Sequence, residues 1–266
     1  MKKISLPKKF EVQEIKDNKN RAKVIIEPCY PGYGNTIGNA LRRVLLSSLP
    51  GAAVVAVKIK GVHHEFSTIE FVKEDVVDII LNLKQLRLKM DPNAEMTVIE
   101  LNASGKKIVT AKDIKTTGGI EVCNPELEIA TLTDKKASLE MKIWVKMGRG
   151  YVLVDEHSDM EFEIDTIVVD SSYTPITNVA LDVVNVRVGD RIDFDKMILD
   201  IETDGSITPK DAVIASTEIL IDQFNFILDP SKGNMSDEDV PSIKEVEEEV
   251  VKEVKKDKKI KKDSKK

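Results

Sequence analysis

The sequence predicts an α+β fold built from antiparallel strands and a small number of helices. Two stretches with helical periodicity stand well apart, one in the first fifth of the chain and one at Thr208–Leu228. Between them, Met90–Asp134 contains many short β-rich runs separated by turn residues, and Ser138–Lys146 alternates between apolar and polar residues. Short alternating runs joined by tight turns are typical of antiparallel sheets, so strands should dominate the middle of the chain.

The composition narrows the class of protein. With 266 residues, 41% of them hydrophobic, the chain can form one large or two modest domains. Its formal net charge of −6 argues against a surface that binds nucleic acid throughout, so any DNA contact should be local or belong to a partner. No apolar run reaches the ~20 residues of a membrane span, and Met1–Lys9 lacks the core of a secretory signal, which predicts a cytoplasmic protein.

The stretch Glu27–Ala52 organises the rest of the chain. A Pro- and Gly-rich turn region leads into a helix of about four turns, with Thr36 as the expected N-cap and Pro50-Gly51 as the end. A helical wheel with ~100° per residue divides this helix into two faces. The expected core face holds Ile37, Ala40, Leu41, Val44, Leu45 and Ser48, and the opposite face holds Asn39, Arg42, Arg43 and Leu46.

The opposite face allows two interpretations. An exposed leucine beside two guanidinium groups, Leu46 beside Arg42 and Arg43, favours a protein interface, because arginine is enriched at interface centres. A solvated outer face would also carry arginines, and periodicity does not decide between the two.

Further elements follow in order. Short strands are expected at Phe10–Ile15 and Ala22–Glu27. Ala52–Lys60 should be a half-buried strand, because Val55, Val57 and Ile59 alternate with small or basic residues. Glu74–Leu86 is compatible with a helix. Trp144 falls opposite the apolar face of its strand and is expected to serve packing.

The last helix should be covered on more than one side. Thr208-Pro209-Lys210-Asp211 provides an N-cap, a proline at N1 and an acid at N3, which predicts a helix start. Apolar residues then occupy well over half of the helical circumference. One neighbouring layer buries one stripe, so a second copy of the chain is the economical source of the remaining cover.

Beyond Asp229-Pro230, residues 231–266 pass from an acidic block into a Lys-rich end and are expected to be a disordered charged tail.

No catalytic, metal-binding or cofactor-binding residues are predicted. The histidines lack a metal-binding spacing, no serine lies in a nucleophile motif, and Cys29 and Cys123 should be reduced structural thiols. Asp190, Asp193, Asp195 and Asp200 lie among basic residues, so surface ion pairs are expected there instead of a Ca²⁺ loop. The loop Gly32–Gly38 lacks the phosphate-binding patterns, and its glycines are expected to set positive φ angles.

Several segments resemble one known family. The main one is G-Y-G-N-T-I-G-N-A-L-R-R-V-L-L-S-S-L-P-G-A, within the organising helix region. The others are Gly61–Glu70, Glu74–Leu86, Asn124–Asp134, Gly148–Val152, Val186–Lys196 and Thr203–Asp211. Their sequences and order are similar to those of the α subunit of bacterial DNA-directed RNA polymerase, and the resemblance covers roughly residues 10–229.

The resemblance implies a fold and a domain division. Residues 1–51 and 178–230 would form a dimerisation subdomain of two helices and an antiparallel sheet, interrupted by an inserted, mostly β subdomain at 52–177. The two helices would pair across a homodimer. The dimer interface would then include Ile37, Leu41, Leu220, Phe224 and Ile227.

The resemblance also implies partners and roles. Such a dimer nucleates assembly of the β and β′ subunits, so the chain would belong to a nucleotidyltransferase complex without being catalytic itself. Arg43 would be a principal contact of the β subunit, with Arg42 and Leu46 on the same helix face. His64 and Lys84 would also meet the large subunits, and Asp170–Pro175 would contribute on the β′ side.

One departure from the family pattern limits what can be transferred. Many members continue into a helical domain that binds promoter DNA and activators, whereas this sequence continues into the charged tail. Contact with DNA is therefore expected only through the complex. Two other functions stay open: an enzyme that handles nucleotides through the Gly32–Gly38 loop, and a dimeric adaptor of another complex.

Overall fold

The computed structural model describes residues 4–15, 18–91, 94, 96–116, 119–157 and 162–229. The expected tail, 231–266, lies outside the described residues. The chain divides between Leu220 and Ile221, and the two parts are described separately.

Three α-helices and fifteen strands are described. The helices are α1 (Tyr33–Ser47), α2 (Val76–Lys84) and α3 (Pro209–Leu228), and two 3₁₀ turns cover Ala111–Asp113 and Val154–His157. The strands are β1 (Lys9–Ile15), β2 (Asn18–Cys29), β3 (Pro50–Ile59), β4 (Leu88–Lys89), β5 (Thr97–Ser104), β6 (Lys107–Thr110), β7 (Ile114–Lys115), β8 (Glu121–Val122), β9 (Glu128–Leu132), β10 (Ser138–Arg149), β11 (Tyr151–Val152), β12 (Ile167–Val168), β13 (Ser171–Ser172), β14 (Ile176–Val188) and β15 (Arg191–Thr203). The predicted α+β class is confirmed.

The first sheet joins distant parts of the chain. Its order is β1-β2-β15-β14, and every neighbouring pair is antiparallel. Val24 on β2 faces Leu199 on β15, which in turn faces Leu181 on β14. Because alternate residues point to one face, these side chains lie on the side that helices cover. β14 is an edge strand and pairs with β15 alone among the described strands.

Helix α1 packs on this sheet through two glycines and two leucines. Gly34, Gly38, Leu41 and Leu45 are buried, and Leu41 and Leu45 share a core cluster with Met197 and other residues of the sheet. A Cβ at Gly38 would lie 2.6 Å from Leu181 Cδ1, so the absence of a side chain lets the helix approach β14 closely. The expectation that the glycines set positive φ angles is therefore right for Gly32 (φ 83°) but wrong for Gly34 and Gly38, which serve packing.

The start of α1 also differs from the prediction. The N-cap is Gly32, and the Thr36 hydroxyl donates to the Gly32 carbonyl from inside the helix. Ile37 was expected on the core face, but 36% of it is exposed in the single chain. The buried stripe is thus rotated from the predicted centre toward Gly34 and Gly38.

The second sheet has the order β7-β5-β10-β3-β4-β8, and β12 also pairs with β3. Ile59, Ile79, Leu101, Ile143 and further residues form its main core, which α2 covers on one side. β3 was predicted to be half-buried, but residues 53–57 are all buried. The reason is that Val55 belongs to a second cluster with Trp144 and Tyr173. The packing role of Trp144 is confirmed, and its ring meets that of Phe162 edge to face at 6.1 Å.

Helix α3 begins as the sequence predicts. The Asp211 amide donates to Thr208 Oγ1 at 3.2 Å, and the Thr208 hydroxyl donates to Asp211 Oδ2. Ala212, Val213 and Ser216 are buried in the first half of the helix, where Ala212 and Val213 join the cluster of the first sheet.

Candidate functional site

The outer face of α1 presents the residues that the sequence singled out. Arg43 is exposed, and the structure gives its guanidinium no hydrogen bond or ion pair among the described residues. Leu46 is 38% exposed and lies almost one turn further along. An exposed leucine beside a free guanidinium can take part in both apolar packing and bidentate hydrogen bonding.

Arg42 differs from Arg43 because it reaches the sheet. Its Nε donates to the carbonyl of Val179 on β14 at 3.1 Å. Asn35, Asn39 and Asn178 line the same cleft between α1 and β14. Arg42 is therefore held at the edge of the sheet, whereas Arg43 projects from the helix.

A buried carboxylate holds the N-terminal end of α1. Asp195 on β15 is 6% exposed, and its Oδ2 accepts a 3.0 Å hydrogen bond from the Gly34 amide. A carboxylate is favoured at a helix N-terminus because it satisfies an unpaired amide and meets the positive end of the helix dipole. The prediction of surface ion pairs is confirmed for Asp193 with Arg191 and for Asp200 with Arg21, but it is wrong for Asp195.

Lys84 and the segment that begins at Asp170 meet in space. Lys84 Nζ lies 3.4 Å from Asp170 Oδ2, which also accepts the Tyr151 hydroxyl at 3.1 Å. The Val154 amide donates to Asp170 Oδ1 at 3.1 Å. This backbone hydrogen bond, together with the Tyr151 hydroxyl and the charge of Lys84, holds the pKa of Asp170 below its usual range.

His64 lies in an exposed loop near the same surface. The loop is fixed by Ser67, whose hydroxyl lies 3.2 Å from His64 Nδ1 and donates to the His64 carbonyl at 2.8 Å. The next residue, Glu65, lines a shallow groove together with Leu81, Lys84 and Val154. The structure thus brings Lys84 and Asp170 together, and Glu65, the neighbour of His64 in sequence, lines the same groove.

The residues proposed for a dimer interface have different surroundings. Within the first part of the chain, Ile37 is exposed and Leu220 is half-buried, whereas Leu41 is 3% exposed and packs in the protomer's own core. Tyr33, Ile37 and Val44 lie within about 40° of one another on the helical wheel and form a partly exposed apolar row on α1.

The second part of the chain carries the end of α3. Phe224 is 58% exposed and Ile227 is 70% exposed, and Ile221, Phe226 and Leu228 are exposed as well. Large apolar side chains in such number on one short helical segment are unusual on a surface that only water contacts.

The described residues also bear on metal binding, membrane spans and cysteine chemistry. The described residues contain no group of three or more His, Cys, Asp or Glu side chains placed to hold a metal ion. None of the described helices has the length and hydropathy of a membrane span. Cys29 and Cys123 are both free thiols, and burial raises the pKa of each.

Comparison with known proteins identifies the family. Residues 57–174 match the RNA polymerase Rpb3/RpoA insert domain. The DNA-directed RNA polymerase subunit alpha of Clostridium kluyveri is 49% identical over 220 residues, which cover 83% of this chain and 69% of that protein. The chain belongs to the DNA-directed RNA polymerase alpha subunit family.

Other alpha subunits give the same result. That of Macrococcus caseolyticus is 44% identical over 221 residues, covering 83% of this chain and 70% of its own length. That of Lawsonia intracellularis is 53% identical over 202 residues, covering 76% of this chain and 58% of its own length. The chain thus spans about six to seven tenths of the length of these curated alpha subunits.

The structure adds residues that the sequence did not single out. Tyr151 and Lys84 both contact the Asp170 carboxylate. No local sequence pattern predicts the contact of Tyr151, because Tyr151, Lys84 and Asp170 lie far apart in the alpha subunit sequence. Asn35, Asn39 and Arg42 follow an i, i+4, i+7 spacing, which marks one polar stripe on a helix and could have indicated the cleft beside β14.

Proposed function

We propose that this chain forms a homodimer on which the β and β′ subunits of a bacterial DNA-directed RNA polymerase assemble for DNA-templated transcription. The observation that supports the proposal most directly is the identity of 44–53% to curated alpha subunits over more than 200 residues. The complex would be a nucleotidyltransferase, and this chain would be its scaffold without catalytic residues or a cofactor of its own. The chain would be located in the cytoplasm and would contact DNA only through the complex.

The exposed apolar residues support the dimer. Ile37 on α1 and Leu220, Phe224 and Ile227 on α3 leave apolar surface in contact with water in the single chain. A second copy would remove this surface from water, which contributes about 25 cal/mol per Å² of apolar area. Leu41 would support the dimer interface indirectly, because its side chain fills the protomer's own core under α1.

Two surfaces support binding of the large subunits. Arg43, Leu46 and the neighbouring Arg42 would contact the β subunit through the outer face of α1. His64 and Lys84 would contribute a second surface, where Tyr151 and the exposed Leu81 offer apolar area beside charge. The segment Asp170–Pro175 would belong to the surface for the β′ subunit.

The competing interpretations are less well supported. A phosphate at the Gly32–Gly38 loop would compete with the Asp195 carboxylate for the Gly34 amide, and the two anions would repel each other. An adaptor of another complex would need the same exposed faces, so the partners themselves must distinguish it.

The test is affinity purification of the tagged full chain from its own cells, followed by mass spectrometry. The wild-type chain should retain both large subunits, and Arg43→Ala should retain a folded dimer but lose most of the β subunit. Arg187→Ala is the matched control, because Arg187 is also exposed but bonds the backbone of its own hairpin. Absence of both large subunits from the wild-type sample would contradict the proposal, and undiminished β subunit with Arg43→Ala would contradict the role of this face.

A further inference from the structure

A polar groove runs between α1 and the free edge of the first sheet. Its helix side consists of Asn35, Asn39 and Arg42. Its strand side consists of residues 178–181 and Val183 of β14. We call this the α1–β14 groove.

The strand side offers unpaired backbone groups. In an antiparallel pair, a residue's N–H and C=O point to the same side, and the side alternates along the strand. The Val179 carbonyl accepts from Arg42 Nε, so Val179 faces the groove. The pairing of β14 with β15 is regular from Asn178 to Val186, so Leu181 and Val183 face the groove as well. The edge of β14 can therefore accept another strand.

On the helix side of the groove, α1 lies close enough to β14 to border a strand added at its edge. Gly34 and Gly38 allow α1 to approach Val183 and Leu181 closely, because a Cβ on either glycine would lie under 3 Å from a side chain of β14. The helix thus forms a wall beside the edge strand. A groove between an edge strand and a helix is one of the recurrent ways in which proteins bind an extended peptide.

The charge of the groove indicates the partner's chemistry. Its lining includes one guanidinium group and three carboxamides, and no carboxylate belongs to the described residues that line it. Arg42 uses Nε for Val179, which leaves the terminal nitrogens of its guanidinium for a further acceptor. A carboxylate meets such a guanidinium with a strong, charge-assisted hydrogen bond.

A second copy of the chain is not the expected occupant. On the helical wheel, Arg42 lies about 140° from Ile37, and the buried stripe of Gly38 and Leu45 lies between them. The apolar row proposed for the dimer and the α1–β14 groove therefore flank opposite sides of the buried stripe. On the same wheel, the side of α1 that lines the groove is instead adjacent to the face of Arg43 and Leu46.

We infer that an extended, carboxylate-bearing segment of the β subunit adds to β14 as a fifth strand of the sheet. Its backbone pairs with Leu181 and Val183, and its carboxylate binds Arg42. This inference rests on the proposed function, since it specifies how the β subunit meets α1.

The first test measures hydrogen exchange of the dimer with and without the purified β subunit, at single-residue resolution. Strand addition should slow exchange of the Leu181 and Val183 amides about tenfold or more, because both amides become hydrogen-bonded. The Asp182 amide should change little, because it points toward β15. A complex that forms without slower exchange at Leu181 and Val183 would overturn the inference and leave the proposed function intact. Failure of the complex to form would overturn both.

The second test measures binding of the purified β subunit to Arg42 variants. Arg42→Gln should weaken binding about tenfold to a hundredfold, as expected for a lost charge-assisted hydrogen bond, and Arg42→Lys should restore part of it. Arg187 lies on β14 but outside the groove, so Arg187→Gln should bind the β subunit within about twofold of the wild-type affinity. The dimer mass and urea midpoint of each variant establish that it is folded. Equal binding by folded Arg42→Gln and wild type would refute the carboxylate contact.

Discussion

Asp195 on β15 accepts a hydrogen bond from the Gly34 amide on α1, 161 residues away in sequence. This contact links β15, an inner strand of the first sheet, to the first turn of the helix that carries Arg42, Arg43 and Leu46. Because both groups are buried, neither can exchange this partner for water. The position of the proposed binding face therefore depends on a residue remote from it.

Asp195→Ala should lower the free energy of unfolding by about 2 kcal/mol, because it leaves the Gly34 amide buried without an acceptor. Urea unfolding at a fixed protein concentration measures this, since the stability of a dimer depends on concentration. Asp193→Ala is the control, because Asp193 belongs to an exposed ion pair with Arg191, and it should cost less than about 1 kcal/mol. An equal loss of unfolding free energy in the two variants would show that the buried hydrogen bond of Asp195 stabilises the fold no more than the exposed ion pair of Asp193.

Gly51→Ala should be among the most destabilising single-methyl changes in the chain. Gly51 on β3 pairs with Gly148 on β10, and Tyr173 packs across both. A Cβ at Gly51 would clash with the Tyr173 backbone oxygen, which cannot rotate away, so a loss of about 3 kcal/mol is expected.

The matched control for Gly51→Ala is Gly105→Ala. Gly105 has φ 78° and open space around its Cβ position, so it adds backbone strain without a clash and should cost about 1 kcal/mol. Thermal unfolding of both variants compares the two causes. A smaller loss for Gly51→Ala than for Gly105→Ala would contradict the close contact with Tyr173.

Local chemistry made some elements predictable. Thr208, Pro209 and Asp211 carry the complete start signal of α3 within four residues, and the structure uses it. The start of α1 was misjudged because the acceptor for Gly34 comes from Asp195, and no local pattern shows such a partner. The full burial of β3 was missed for a similar reason, since one of its faces is covered by Tyr173 from a distant segment.

The candidate site was predictable only in part. The Arg42, Arg43 and Leu46 face follows from helical periodicity within one segment. The meeting of Lys84 with Asp170 and Tyr151 depends on tertiary structure, because these residues come from a helix, a strand and a loop that lie far apart in sequence. The different roles of Arg42 and Arg43 could not be read from their adjacent positions, because the contact with Val179 requires β14 beside α1.

Phe224→Asp should convert the proposed dimer to a monomer. Phe224 and Ile227 lie about 60° apart on one side of α3, and a carboxylate placed there would lose its hydration in a packed interface. Sedimentation velocity across a range of concentrations measures the change. Asn225→Asp adds the same charge about 100° away on the helix and should remain dimeric. A dimer that persists in folded Phe224→Asp would exclude this side of α3 from the interface.

His157 should make the protein less stable in mild acid. It is 3% exposed, and its Nε2 lies 3.2 Å from the Ser171 hydroxyl, which donates to the Val54 carbonyl. Burial lowers the pKa of His157, and the nearby charge of Lys146 lowers it further, against the opposite effect of Glu156 and Asp170. The unfolded chain then binds the proton more readily than the folded one. The stabilisation is complete above the unfolded pKa of about 6.5 and is lost as the pH falls below it.

The measurement is the free energy of unfolding between about pH 5 and pH 7.5, the range that brackets the unfolded histidine pKa. His157→Gln should flatten the fall in stability below about pH 6.5, because it removes the proton-binding group. Ser171→Ala keeps the buried histidine but removes its hydroxyl partner, so it should lower stability at every pH and retain the fall. If His157→Gln and wild type lose stability in parallel as the pH falls, other groups cause the acid sensitivity.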